Sequence, residues 1–171
     1  SDEKSVLVNG VCPICGYHCP HKNIGNDGVC KDCNAKMVAK VTVGETTTYT
    51  ADLADALNKA ANGTTIKLLA NTMLPDGIYA SKTLTLDLDG HSLSGYSLNV
   101  GGLTATSQVR TGNLTVIDSS GGNGAVGVAV RDGGTLVFDP KNDHTTLLQL
   151  EVWGGTVELY GGKILRSGLQ L

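Results

Sequence analysis

The chain has 171 residues, of which 17% are charged and 4% are aromatic, and its formal net charge at pH 7 is −3. This length suffices for one ordinary domain, or for a small module followed by a larger one. The sequence has no basic run for a nucleic-acid partner and no apolar stretch near the roughly 20 residues that span a bilayer. We therefore expect neither nucleic-acid binding nor membrane insertion.

All five cysteines lie between positions 12 and 33. They include two CxxC pairs, at positions 12–15 and 30–33. Such pairs are typical of structural zinc, because each CxxC turn lets two thiolates converge on one ion. We predict a zinc ribbon or knuckle over residues 1–40, with four thiolates as ligands: Cys12, Cys15, Cys30 and Cys33.

A second ligand set is compatible with the same segment. Cys19 and His21 could join Cys30 and Cys33, and the first CxxC pair would then recruit His18 or a second ion. Disulfides are the competing interpretation, but the odd number of cysteines argues against them. A full set of four ligands leaves no open position on the metal, so the zinc is expected to be structural.

The segment after the cysteines predicts two strands, a helix and a third strand. Residues 35–43 and 46–50 form the two strands around a tight turn at Gly44. Apolar residues at helical spacing predict a helix over 51–62, which ends at a glycine. The third strand follows at residues 64–69.

The most informative pattern is a glycine followed by alternating apolar residues, which recurs through the second half of the chain. The apolar residues Leu114, Leu136 and Val157 recur at a nearly constant interval, and a related copy at Leu84 precedes them by a longer one. A period of roughly 20 residues with one short strand per repeat is typical of a solenoid, whose turns bury apolar faces on one another. Residues 101–111 are expected to form an inserted loop, which accounts for the longer first interval.

Three segments carry a resemblance to a known family: YTADLADAL (49–57), GTTIKLL (63–69) and LTLDLDGHSLSG (84–95). Together they resemble the start of a right-handed parallel β-helix of the pectate-lyase-like superfamily, especially the non-catalytic repeats of bacterial surface proteins. The resemblance covers about residues 46–171. It implies a mainly β solenoid over residues 41–171, of about five coils, with the predicted helix capping its N-terminal end.

Because that fold includes polysaccharide lyases and glycoside hydrolases, the acidic residues must be weighed as catalysts. Asp87 and Asp89 alternate on one strand beside His91 and are the best catalytic candidates. The Asp–Gly dipeptide at position 89 also has a structural explanation as a turn, and Asp118 is expected to bind backbone amides at another corner. We therefore predict no catalytic residue in this chain.

The one tryptophan suggests a ligand surface. If Leu148, Leu150 and Val152 face the core, Trp153 faces outward. If Val157 and Leu159 also face the core, the nearby Tyr160 faces outward too. The two aromatic rings could form a stacking platform for a sugar, or Trp153 could cover a corner of the fold.

These patterns predict a non-catalytic structural or adhesive module of a secreted or cell-surface bacterial protein. Its expected partners are carbohydrates or host surface proteins, and the open end of the solenoid is a candidate surface for self-association. The last residues look like another strand without a cap, so the sequence is expected to belong to a longer protein. The alternative is the N-terminal part of a polysaccharide lyase or glycoside hydrolase whose catalytic residues lie outside this sequence.

Overall fold

The computed structural model describes residues 18–169. Within this range the chain is mainly β, with one short helix and sixteen strands. In chain order these elements are β1 (Ala39–Val43), β2 (Thr46–Thr50), α1 (Leu53–Lys59), β3 (Thr64–Leu68), β4 (Thr72–Leu74), β5 (Tyr79–Ala80), β6 (Thr83–Asp87), β7 (Ser92–Val100), β8 (Gly102–Leu103), β9 (Val109–Arg110), β10 (Gly112–Ile117), β11 (Ala125–Val130), β12 (Gly134–Phe138), β13 (Thr146–Val152), β14 (Thr156–Leu159), β15 (Lys163–Ile164) and β16 (Ser167–Leu169).

The strands with the recurring glycine pattern lie in the first sheet. Its strand order is β14-β12-β10-β6-β3-β1-β2. From β3 to β14 the strands pair in parallel, whereas β1 is antiparallel to both β2 and β3. Leu84, Leu114, Leu136 and Val157 lie opposite one another on successive strands. The spacing of the repeats therefore predicted which strands pair and in which register.

The second sheet is parallel and has the order β15-β13-β11-β7-β4, with β16 also paired to β13 and β5 to β7. The register between β11 and β13 shifts between Val126 and Gly127. Because of that shift Leu147 is buried in the core and Leu148 is only half-buried, so the predicted inward position of Leu148 is wrong. The inserted residues 101–111 contain the antiparallel pair β8–β9.

One continuous apolar core joins the two large sheets. Alternate residues of each strand point into it, as the period of a β-strand requires. Burying each of these apolar side chains contributes about 1.5–3 kcal/mol relative to leaving it exposed. The core includes Leu84, Leu86, Leu98, Val100, Leu114, Val116, Val126, Val128, Val130, Leu136, Phe138 and Leu147.

The expectation of a pectate-lyase-like, right-handed β-helix is wrong. Over residues 18–169 the strands form one mixed sheet, one parallel sheet and a two-stranded antiparallel pair, and they form no closed solenoid. The repeat period sets the register between neighbouring strands. It does not dictate how the connections between the sheets run, and closure depends on those connections.

The predicted helix is present but shorter than expected. α1 begins after Asp52, whose carboxylate accepts a hydrogen bond from the N–H of Asp55 at 2.9 Å and so caps the first turn. It ends when Ala60 leaves the helical conformation. Leu53 and Leu57 are its buried residues. None of the chain between residues 18 and 169 forms a helix long and apolar enough to cross a membrane.

The hairpin of β1 and β2 is confirmed, with Gly44 at φ 57° in its turn. β1 begins at Ala39 and pairs with β3 as well as with β2. The last residues of the predicted module 1–40 thus already belong to the first sheet. The division of the chain into a metal-binding module and a larger β domain stays a prediction.

Candidate metal centre

The segment before the first sheet folds around the second CxxC pair. Short antiparallel bridges join Ile24 to Cys30 and Val29 to Lys36. The N–H of Asn34 donates to the carbonyl of Cys30 at 2.7 Å, and Asn34 has φ 58°. This left-handed residue follows the CxxC pair and turns the chain so that backbone amides face the sulfur atoms.

Four side chains converge in this segment: Cys19, His21, Cys30 and Cys33. Their ligand atoms all lie within 4.8 Å of one another. Sγ of Cys19 lies 3.6 Å from Sγ of Cys30, and Sγ of Cys33 lies 3.4 Å from Nδ1 of His21. In a tetrahedral zinc site with Zn–S bonds of about 2.3 Å, neighbouring sulfur atoms are about 3.8 Å apart. The four residues could therefore hold one metal ion.

The local environment gives the two thiols of the CxxC pair different acidities. Burial by itself raises the pKa of Cys30, but hydrogen bonding to His21 and to the backbone amides of Asp32 and Cys33 outweighs burial and lowers that pKa to about 7. Burial raises the pKa of Cys33 to about 11. A metal ion must therefore displace the proton of Cys33 to bind its sulfur.

This cluster is the second of the two ligand sets that the sequence allows. Cys12 and Cys15, which belong to the preferred set, lie outside the described residues. That set consequently stays a prediction. His18, which the first CxxC pair could recruit in that case, is exposed at the surface.

The catalytic candidates Asp87 and Asp89 lie at the corner where β6 of the first sheet leads into β7 of the second. Asp87 is buried and accepts hydrogen bonds from the backbone N–H groups of Ser119 at 2.9 Å and of Asp89 at 3.1 Å. Nζ of Lys67 lies 3.0 Å from Oδ1 of Asp89. The backbone N–H of His91 donates within the same turn. These contacts tie neighbouring strands together and occupy both carboxylates.

Asp118 also binds the backbone at a corner, and it accepts more hydrogen bonds than Asp87 does. Its carboxylate accepts from the N–H groups of Gly90 at 2.7 Å and Gly124 at 3.0 Å, and from the hydroxyls of Ser120 at 2.8 Å and Thr145 at 2.6 Å. Burial acts to raise the pKa of Asp118, but these donors outweigh it and lower that pKa. The predicted role of Asp118, binding backbone amides at a corner, is confirmed.

The two outward aromatic residues have separate contacts. The indole N–H of Trp153 donates to Glu151 at 3.2 Å, and the guanidinium carbon of Arg131 lies 5.4 Å from the ring centroid of Trp153. The hydroxyl of Tyr160 instead donates to Glu158 at 2.7 Å. From sequence, Arg131 would be expected to be only a solvated side chain near a corner, and its place beside Trp153 depends on the pairing of distant strands.

No protein-family model, no curated protein and no solved structure matches the chain. The expected membership in the pectate-lyase-like superfamily therefore has no support from relatives either. The fold and the cluster together define a mainly β protein with a Cys/His site that could hold a metal ion.

Proposed function

We propose that this chain is a non-catalytic structural or adhesive module of a secreted or cell-surface bacterial protein, in which a structural zinc ion holds the N-terminal segment. One observation carries the proposal: the buried carboxylates of Asp87 and Asp118 are occupied by hydrogen bonds that fix the corners of the sheets. Among the described residues, no buried side-chain nitrogen or oxygen lacks a hydrogen-bond partner.

The positions of Asp87 and Asp89 also differ from the geometry that glycoside hydrolysis requires. That reaction needs two carboxylates that face each other across a groove at about 5–10 Å, one of them free to give a proton. Asp87 and Asp89 instead share the cation of Lys67 and the hydrogen-bond donors of one turn. Their geometry suits a rigid corner, in which both carboxylates are held by neighbouring groups.

The identity of the proposed metal follows from the donor set. Three sulfur atoms and one imidazole nitrogen are soft or borderline ligands, which favour zinc over calcium or magnesium. Four protein ligands fill a tetrahedron and leave no position for water or substrate. The proposed ion therefore stabilises the segment before β1 and takes no part in a reaction.

The same proposal includes partners that meet the outer surface of the sheets, either glycans or host proteins. Exposed apolar side chains on the outer strands β14 and β15, such as Leu159 and Ile164, offer a surface for self-association.

Catalysis is tested by incubating the chain with a panel of plant, bacterial and host polysaccharides. We expect neither new reducing ends nor unsaturated products. Release of oligosaccharides by the purified chain would contradict the non-catalytic proposal and favour the lyase or hydrolase alternative.

The zinc is tested by metal analysis of the purified protein and of two matched double variants. We expect one zinc ion per chain, retained in Cys12→Ser/Cys15→Ser and lost in Cys19→Ser/His21→Ala. The reverse outcome would establish the four-cysteine ligand set. A folded protein without metal would overturn the zinc proposal altogether.

A further inference from the structure

A groove of about 310 Å³ crosses the outer face of the second sheet, away from the Cys/His cluster. It runs over strands β7, β11 and β13, which are neighbours in that sheet. The aromatic, charged and amide side chains that line it are Tyr96, Asn99, Arg131, Gln149 and Glu151.

The register of the three strands explains why a groove forms there. Ala129 on the middle strand lies opposite Asn99 on one side and Glu151 on the other. Gly127, which precedes Ala129 on the same face, lies opposite Gln149. Ala129 on the middle strand thus forms part of the floor. Longer side chains on the flanking strands form the walls, and Arg131 follows the middle strand at one end of the groove.

The polar groups along the walls are held in place by one another. Glu151 accepts hydrogen bonds from the side-chain amide of Gln149 and from the indole N–H of Trp153. Nε of Arg131 donates to Oδ1 of Asn99 at 3.0 Å. A guanidinium has five N–H donors, so this bond leaves others free for a ligand. One cation and one carboxylate give the groove a balanced charge.

Two aromatic side chains adjoin these polar groups. Tyr96 lines the groove and is 62% exposed, and Trp153 is 45% exposed beside Arg131 and Glu151. Aromatic rings present a flat apolar surface, and the polar tips of Tyr and Trp tolerate a wet site. An exposed ring next to several planar hydrogen-bonding groups matches a ligand that has both apolar faces and many hydroxyls.

We propose that this groove binds a neutral oligosaccharide. A pyranose ring offers C–H faces to an aromatic ring, and its neighbouring hydroxyls match the paired donors and acceptors of amide, guanidinium and carboxylate groups. The opposite charges of Arg131 and Glu151 leave the groove without a net positive charge to attract an acidic sugar. This inference rests on the proposed non-catalytic role, and Glu151 is the one carboxylate among the residues that line the groove.

Trp153 makes the proposal directly measurable, because it is the one tryptophan of the chain. Neutral hexasaccharides of glucose, mannose, galactose and xylose would be titrated while tryptophan fluorescence is recorded, with oligogalacturonate as the anionic comparison. We expect a saturable change with at least one neutral sugar and weaker binding of oligogalacturonate. No binding of any neutral sugar, or preference for the anionic one, would overturn the proposal.

Variants locate the site by calorimetry, which does not depend on the tryptophan signal. Trp153→Ala and Gln149→Ala should each weaken binding about tenfold. Tyr160→Ala, which removes an exposed aromatic ring bonded to Glu158, should leave the affinity unchanged. Circular dichroism spectra that match those of the parent protein establish that each variant is folded.

Equal binding by the parent protein and both groove variants, or an equal loss in Tyr160→Ala, would overturn the location of the site. Because polysaccharide cleavage is measured separately, failure of sugar binding would leave the non-catalytic role standing. Cleavage would contradict that role whatever the outcome of the titrations.

Discussion

At the scale of single residues, Asp118 shows how a carboxylate can serve the fold alone. It is buried and accepts hydrogen bonds from two backbone amides and two hydroxyls that belong to different turns and strands. Bonds to a charged acceptor are stronger than those between neutral groups. The acid thus joins separate repeats at a corner between the two large sheets.

We predict that Asp118→Asn lowers the free energy of unfolding near neutral pH by about 2 kcal/mol or more, because an amide cannot accept from four donors. The pKa of Asp118 is lowered in the folded state, so its contribution is full above the ordinary value of 3.8 and is lost as pH falls through the folded-state value. The difference between variant and parent should therefore shrink in acid.

Urea denaturation near neutral pH and at about pH 3 measures this difference. Asp76→Asn, at an exposed position, is the matched control and should change little. An equal loss of stability at both pH values would show that the charge of Asp118 is not the cause.

At the scale of elements, the recurring glycine is explained by close contact between strands. A Cβ atom added to Gly134 would overlap the carbonyl oxygen of Val100, and one added to Gly112 would overlap that of Ala80. A glycine therefore begins β10 and β12 because only a hydrogen atom fits against the backbone of Ala80 and Val100.

We predict that Gly134→Ala lowers the free energy of unfolding by about 3 kcal/mol, since the backbone of Val100 must move to accommodate the methyl group. Gly168→Ala is the control, because its added Cβ would meet no atom within 4 Å. Thermal or chemical denaturation of the two variants tests the idea. Equal stabilities would show that the close contact at Gly134 relaxes without cost.

The elements also show how much of the fold the sequence could predict. Strands β10, β12 and β14 follow from alternation and a constant period, which depend only on local sequence. The burial of Leu147 instead of Leu148 depends on a register shift against β11, which no local pattern records.

The candidate site was predictable to a similar degree. The CxxC spacing indicated a metal site, yet two ligand sets fitted the same spacing. Only the arrangement in space brings Cys19 and His21 to the second pair. The groove on the second sheet escaped sequence analysis because its walls come from strands that are far apart along the chain and meet only by pairing with β11.

At the scale of the whole molecule, the segment that carries the Cys/His cluster meets the first sheet next to β1 and β3. The N–H of Met37 donates to the carbonyl of Gly28 at 2.8 Å, and the N–H of Leu69 donates to that of Val38 at 2.9 Å. The buried side chain of Met37 lies at this junction. The parallel strands β11 and β13 belong to the other sheet and do not pair with these residues.

We predict that a chelator abolishes amide protection in residues 18–37 and weakens it in β1 and β3, with β11 and β13 unchanged, because stability differs between regions of one fold. Hydrogen exchange followed by mass spectrometry measures this pattern. The Cys19→Ser/His21→Ala variant should reproduce it without chelator. Loss of protection throughout the chain would show that the whole fold depends on the metal.

The order of the strands also sets how the molecule bears a load. In both large sheets the strands lie side by side, so the hydrogen bonds between repeats point across the strands, from β3 towards β14 in the first sheet. A force applied between those two strands would pull along these bonds and separate the repeats one after another. A force along the strands would have to shear every bond of a pair at once. The stack should therefore yield gradually in one direction and resist strongly in the other.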